Sequence, residues 1–280
     1  MVMKTILVPV ELHELSQSTL QTAALLGLAF DSYLEGFTLS PALSPFMAAD
    51  AMGTMVLYQE DAQDNGENAA KARQAFLDAM QAHAIPETTG TGKGPHFGWH
   101  AETHGDDFIG NIGRAFDITV LGRPGSKYGQ PRGTTLEAAL FESGRPVLIA
   151  PPEPPRQFGK NILIVWNGST ETARTIAFAL PLLARADRVV VLTVEGSSVS
   201  GPDGADIVTY LNRNDIACEA RSVELEGRGV GETILAETAV HGSDLIIKGA
   251  YTQSRLRQLI FGGATREIIA ETTLPVFMAH

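Results

Sequence analysis

Short, nearly continuous apolar runs alternate along this chain with longer stretches whose apolar residues recur at three and four, and the alternation occurs twice. The runs predict strands at residues 5–10, 34–39, 96–103, 118–122 and 146–150, then at 162–166, 189–194, 217–223, 245–248 and 275–279. Strands separated by amphipathic helices are the pattern of a parallel sheet covered by helices. Unbroken apolar strands such as VVVLTV and DLIIKG require burial on both faces, which such a sheet provides.

The intervening stretches predict helices. Ser169 or Thr170 can cap one through ETARTIAFALPLLARA, where Pro181 predicts a kink or a break. An extra stretch between the second and third strands carries a helix from about Asp61 to Ala84, and its earlier Met- and Pro-containing part reads as a packing segment rather than a lid. Asp106 and Asp107 open the helix after the third strand, where carboxylates favour the dipole.

The two halves say nearly the same thing. FDITVLGRPG followed by GTTLEAALFESGRPVLIA at 116–150 is repeated by SDLIIKGAYT followed by GGATREIIAETTLPVFMA at 243–279, and KTILVPV is matched by KNILIVW. A repeat at half the chain length means duplicated domains, since solenoid units run about 20 to 50 residues. The stiff PPEPP connector places the boundary, giving domains 1–152, with an inserted segment 40–85, and 153–280.

Composition agrees with two such cores: 280 residues, 44% hydrophobic and 19% charged, is ordinary for globular domains. A net charge of −11 argues against nucleic acid as a partner. No apolar run nears the roughly 18 residues that cross a bilayer, and the lone Cys218 suits a reducing compartment. A cytoplasmic protein that is neither embedded in a membrane nor bound to one is the expectation. Against the acidic background, Arg123, Lys127 and Arg132 surround one glycine loop, and Lys248, Arg255, Arg257 and Arg266 another. Such local charge suits an anion.

Ligands of open parallel sheets bind outside the carboxyl ends of strands. There, the fourth strand of each half runs into glycine, Gly122-Arg123-Pro124-Gly125 in the first and Gly249-Ala250-Tyr251-Thr252 in the second. A further glycine, Gly133 or Gly262, precedes the next helix, whose free N–H groups can hold a phosphate. Thr134 adds a hydroxyl in the first half, while Gly263 stands at the matching place of the second, with Thr265 two residues on. The same glycines also serve as plain tight turns.

GAYTQSRLRQLIFGGATREIIAETTLPVFMAH after DLIIK, with ILIVWNGSTETAR at the opening of the same half, resembles the universal stress protein family. KTILVPV, ITVLGRPG, GTTLEAAL and RPVLIAPP make the first half look like a more divergent copy, so the whole resembles a tandem member. The resemblance implies an α/β fold of two doubly wound five-stranded parallel-sheet domains, adenine nucleotide alpha hydrolase-like, with strand order 3-2-1-4-5. It also implies an adenine nucleotide, ATP or AMP, with Mg accompanying ATP. An acid after the first strand would bind ribose, and a G-x2-G-x9-G-[S/T] loop the phosphates. Carried over, the nucleotide-binding residues are Val10, Glu11, Gly122, Arg123, Gly125, Gly133 and Thr134 in the first half, and Trp166, Asn167, Gly249, Thr252, Gly262, Gly263 and Ala264 in the second.

Both halves depart from the motif. In the second, Thr252 replaces a glycine, Gly263 the hydroxyl residue and Asn167 the acid; in the first, the loop is two residues short and Glu11 is the acid. Neither half is the better site on these grounds. The function implied is a stress-response sensor or regulator with no catalytic residues and at most slow ATP hydrolysis. The alternative is a module that has lost its nucleotide and acts through dimerisation or protein partners. The family's domains pair through their last strands, so Pro146 to Ala150 would meet Pro275 to Ala279, and a homo-oligomer is expected.

His96, His100 and His104 recur every four residues. On a regular strand the three point the same way but successive ones lie about 13 Å apart, too far to share an ion, so no metal is expected.

Overall fold

The structure, a computed structural model, describes residues 3–39, 54–88, 92–125, 130–250 and 263–280, with side chains described from residue 66 onward in the second of these segments. All ten predicted strands are present: β1 (Thr5–Val10), β2 (Tyr33–Leu39), β3 (His96–His104), β4 (Ile118–Leu121), β5 (Val147–Ile149), β6 (Asn161–Val165), β7 (Arg188–Val194), β8 (Glu219–Val223), β9 (Leu245–Gly249) and β10 (Val276–Ala279). They form one sheet in the order β3-β2-β1-β4-β5-β10-β9-β6-β7-β8. Read inward from either edge, each half follows 3-2-1-4-5. Neighbours are parallel except at the centre, where β5 and β10 run antiparallel with Ile149 opposite Val276 and Val147 opposite Met278. That pairing covers two strands that would each present unpaired backbone groups.

The apolar runs are continuous because alternate residues enter two different cores. Ile6, Val8 and Val10 of β1 face one side, while Leu7 faces the other. The first side is covered by α1 (Ser16–Phe30), α2 (Thr54–Ala82), α5 (Thr170–Leu183) and α6 (Gly204–Asn212), which contribute Leu26, Phe76, Ile176 and Leu211. The second is covered by α3 (Asp106–Ile112), α4 (Gly133–Glu142), α7 (Val230–Val240) and α8 (Gly263–Glu271), which contribute Ile109, Leu140, Ile234 and Ile268.

Ser169 caps α5, its hydroxyl accepting from the Thr172 N–H at 3.2 Å. The helix runs through Pro181 to Leu183; the proline forfeits the one bond its N–H would have made to the Ala177 carbonyl, and the helix ends two residues later. Helix α2 begins at Thr54, a full turn and more before the expected start, and residues 40–53 of the inserted segment lie outside the described residues. No described helix is long and apolar enough to cross a membrane.

The duplication extends to a structural pair of aspartates. Asp117 accepts from the N–H groups of Lys4 (2.7 Å) and Thr5 (3.0 Å), tying the start of β1 to the start of β4. Asp244 does the same for β6 and β9, accepting from the N–H groups of Gly159, Lys160 and Asn161 at 2.9 to 3.0 Å.

Candidate functional site

In each half the fourth strand ends beside the first, and the helix that follows begins just beyond. In the first half this brings together Glu11 after β1, Gly122 after β4 and the start of α4. A Cβ on Gly122 would meet Pro131 at 2.7 Å and the His13 ring at 3.0 Å, so the glycine permits that packing. Gly125 turns back through its N–H, which donates to the Pro131 carbonyl at 3.0 Å.

The start of α4 already holds an anion of the chain's own. The Asp106 carboxylate accepts from the hydroxyls of Thr134 and Thr135, each at 2.7 Å, and pairs with the Arg132 guanidinium at 3.1 Å. On its other side, Arg132 lies 3.4 Å from Glu11. Burial pushes the Glu11 carboxyl above its ordinary pKa, and the charge of Arg132 opposes that rise. His13, next to it, is driven by burial down to about 4; it is neutral at pH 7 and its Nδ1 accepts from the Leu15 N–H at 3.0 Å. The cleft between Glu11, His13, Gly122 and Arg132 holds little more than one water molecule.

Two further residues of the expected first-half set look elsewhere. Val10 is buried in the core. Arg123 reaches into the other half, where its guanidinium donates to the Thr272 carbonyl at 2.9 Å, just past the end of α8, a favourable place for a cation.

The second half is built differently. The Asn167 side-chain oxygen accepts from the Thr172 hydroxyl at 2.7 Å and the Ser169 N–H at 3.3 Å. Its backbone carbonyl accepts from Val199 at 2.9 Å, and the carbonyl of Val199 lies 2.7 Å from where a Cβ of Gly168 would stand. Residue 199 and its neighbours therefore lie against the turn after β6. Trp166 is buried, its indole N–H donating to the Pro202 carbonyl at 2.9 Å. Gly249 is required by packing alone, since a Cβ there would lie 2.5 Å from the backbone nitrogen of Thr172. Gly263 opens α8, where an added Cβ would meet none of the described residues within 4 Å, and Ala264 is half-buried. Thr252 and Gly262 lie outside the described residues, as do Lys127, Arg255 and Arg257.

Lys248 marks the sharpest difference between the halves. Its ammonium donates to the Thr265 hydroxyl at 2.7 Å and to the Gly249 carbonyl at 3.0 Å, and burial lowers its pKa to about 8. Leu121 is opposite Ile149 in the first half, and Lys248 is opposite Met278 in the second. Lys248 therefore stands where the first half has Leu121, and Thr265 where it has Leu136, two residues that line the first-half cleft. A lysine and a hydroxyl at the junction of β9 and α8 replace an apolar pair at the matching junction of β4 and α4. The clue in the sequence was one charge at the end of an otherwise apolar strand, DLIIK.

A separate cluster lies at the edge of the sheet. The rings of His100 and His104 stand 4.8 Å apart, which corrects the spacing expected of a regular strand. His96 stays apart, its Nδ1 2.8 Å from the Gly94 carbonyl. Cys218 is half-buried, and burial raises its thiol pKa.

This sheet, two 3-2-1-4-5 halves joined back to back through their last strands, defines a tandem doubly wound α/β protein. No family model matches the chain. A curated universal stress protein of Synechocystis sp. is 25% identical over 176 residues, 61% of this chain and 60% of that protein, so the chain matches about three fifths of its relative's length. The crystal structure of a universal stress protein from Archaeoglobus fulgidus superposes with a TM-score of 0.72 at 14% identity, covering 99% of this chain and 96% of that one. A putative universal stress protein from Pseudomonas aeruginosa gives 0.53 at 12% identity over 99% and 93%. The chain is thus similar in sequence to a universal stress protein over part of its length and shares the fold of others over nearly all of it, in a tandem architecture.

Proposed function

We propose that this protein is a stress-response sensor or regulator of the cytoplasm that binds an adenine nucleotide, ATP or AMP, in its second half. The observation that carries the reading is Lys248, a lysine half-buried at the end of β9 and bonded to the first turn of α8. A cation held beside the amides of a helix start favours phosphate, and with ATP a Mg ion would share that neutralisation. The first half is silent in this reading, because Asp106 takes the place an anion would occupy on α4.

Isothermal titration with ATP and Mg tests it. One nucleotide per chain is expected, and Lys248→Met should weaken binding about 10-fold or more, the scale of a lost charge-assisted hydrogen bond. An unmutated protein that gives no heat, and releases no adenine nucleotide on denaturation, ends the reading.

A second reading is favoured by Asn167, whose side-chain oxygen is bonded to Thr172 and Ser169 at the position of the ribose-binding acid. It makes the protein a module without nucleotide that acts through self-association or partners. Light scattering showing a homo-oligomer whose mass is indifferent to ATP supports that alternative.

A further inference from the structure

The end of β3 does not continue as a regular strand. Phe37 of β2 pairs with His100 and Leu39 with His104, so β2 advances two residues while β3 advances four. The two extra residues form a bulge, and bulges re-aim side chains. His100 and His104, which a regular strand would hold about 13 Å apart, thereby come together with Glu102 between them. Ligating atoms of all three lie within 4.8 Å of one another.

The rings are held in place from several sides. His104 stacks on Phe108 of α3 with centroids 3.7 Å apart and 8° between planes, and meets the edge of Phe37 at 5.9 Å. His100 stacks on the same Phe108 at 5.5 Å. Glu35 of β2 stands 4.0 Å from His100 Nδ1, its other oxygen accepting from the Tyr33 hydroxyl at 2.9 Å. A carboxylate beside a ligating imidazole fixes its orientation and raises its basicity. Aromatic stacking alone would account for the packing of these rings. It does not account for His104 Nε2, which is buried and has no hydrogen-bond partner, an arrangement that buried polar atoms avoid. The nearest carboxylate oxygen, on Glu102, is 3.9 Å away.

We propose that His100, Glu102 and His104 form a binding site for a divalent transition-metal ion of the zinc class. Two imidazoles and one carboxylate with a fourth position left to water suit zinc, whereas magnesium and calcium prefer an all-oxygen shell. The donors must close in to reach about 2.0 Å from a shared ion, and the exposed Glu102 side chain is free to swing for this. The site lies just before Gly105 and Asp106, at the junction of the edge strand with α3.

The test is equilibrium dialysis of the full, metal-stripped chain against zinc, with bound metal measured by elemental analysis and affinity by competition with a chromophoric chelator. One zinc per chain is expected. His100→Ala and His104→Phe should each weaken binding at least 10-fold, Glu102→Gln less, and His96→Ala not at all. His104→Phe keeps the ring stack while removing both donor nitrogens, so the result does not depend on an alanine variant folding. Cobalt loaded in place of zinc should give visible d–d absorption that His104→Phe abolishes. No zinc retained at low-micromolar free metal, or retention unchanged in both His100→Ala and His104→Phe, overturns the proposal.

Discussion

The carboxylate of Asp106 accepts a 2.7 Å hydrogen bond from the hydroxyl of Thr134, at the start of the helix that the first-half glycine loop leads into. With the Thr135 hydroxyl and Arg132 it completes a cradle for one anion, and the anion is internal. The duplicated chain thus carries one helix start occupied by the chain's own carboxylate and another with Lys248 bonded to its first turn.

Replacing Asp106 by Ala should lower stability by about 1–3 kcal/mol, because partly buried donors on Arg132 and Thr135 lose a charged acceptor. Urea unfolding measures this. The same variant should gain more thermal protection from inorganic phosphate than the unmutated protein, as the start of α4 becomes available to an outside anion. Equal protection in both would show that Asp106 does not occupy an anion site.

Gly249→Ala should destabilise by about 1–3 kcal/mol, as overpacking against immovable backbone does; the new methyl would sit 2.5 Å from the Thr172 nitrogen. Gly263→Ala, with none of the described residues within reach of the new methyl, should stay within about 0.5 kcal/mol. Denaturant midpoints of the two variants decide it. Gly249 is for this reason a poor probe of ligand binding.

Removing the aspartates that tie strand starts together should be costly with no ligand present. Asp244→Ala leaves the N–H groups of Gly159, Lys160 and Asn161 without their acceptor, at about 1–3 kcal/mol. Asp117→Ala should act similarly on β1. Faster amide exchange at Lys160 and Asn161 in the first variant, and at Thr5 in the second, checks the assignment.

Lys248 gives a signed dependence on pH. Its folded pKa, about 8, lies below the ordinary lysine value of 10.5. Between those values the unfolded chain binds the extra proton, so this group's contribution to stability rises with pH across that window and is least favourable below pH 8. Lys248→Met should therefore be more stable than the unmutated protein at pH 7, by a margin that shrinks toward pH 10. Urea unfolding at both pH values is the measurement, and a margin independent of pH would contradict it.

The ten strands, the repeat and the two-sided burial are all legible in the sequence, and for a local reason. A strand covered on both faces must be apolar at nearly every position, as in VVVLTV, and a helix must carry its period, so each element is written in its own residues. The helix of the inserted segment was legible from its period, though its described extent, Thr54–Ala82, starts earlier than the pattern suggests. The site was legible only in part. Glycines and a hydroxyl marked the loops, but Asp106 lies 28 residues from Thr134 and Lys248 lies 17 from Thr265, separations that say nothing until strand order and register bring those residues together. Likewise the histidines of β3 were visible as a period of four, yet only the bulge against β2 decides that two of them meet. Local pattern determined which segments are strands and helices; the packing of distant segments, which composition cannot express, decided which side chains share a site.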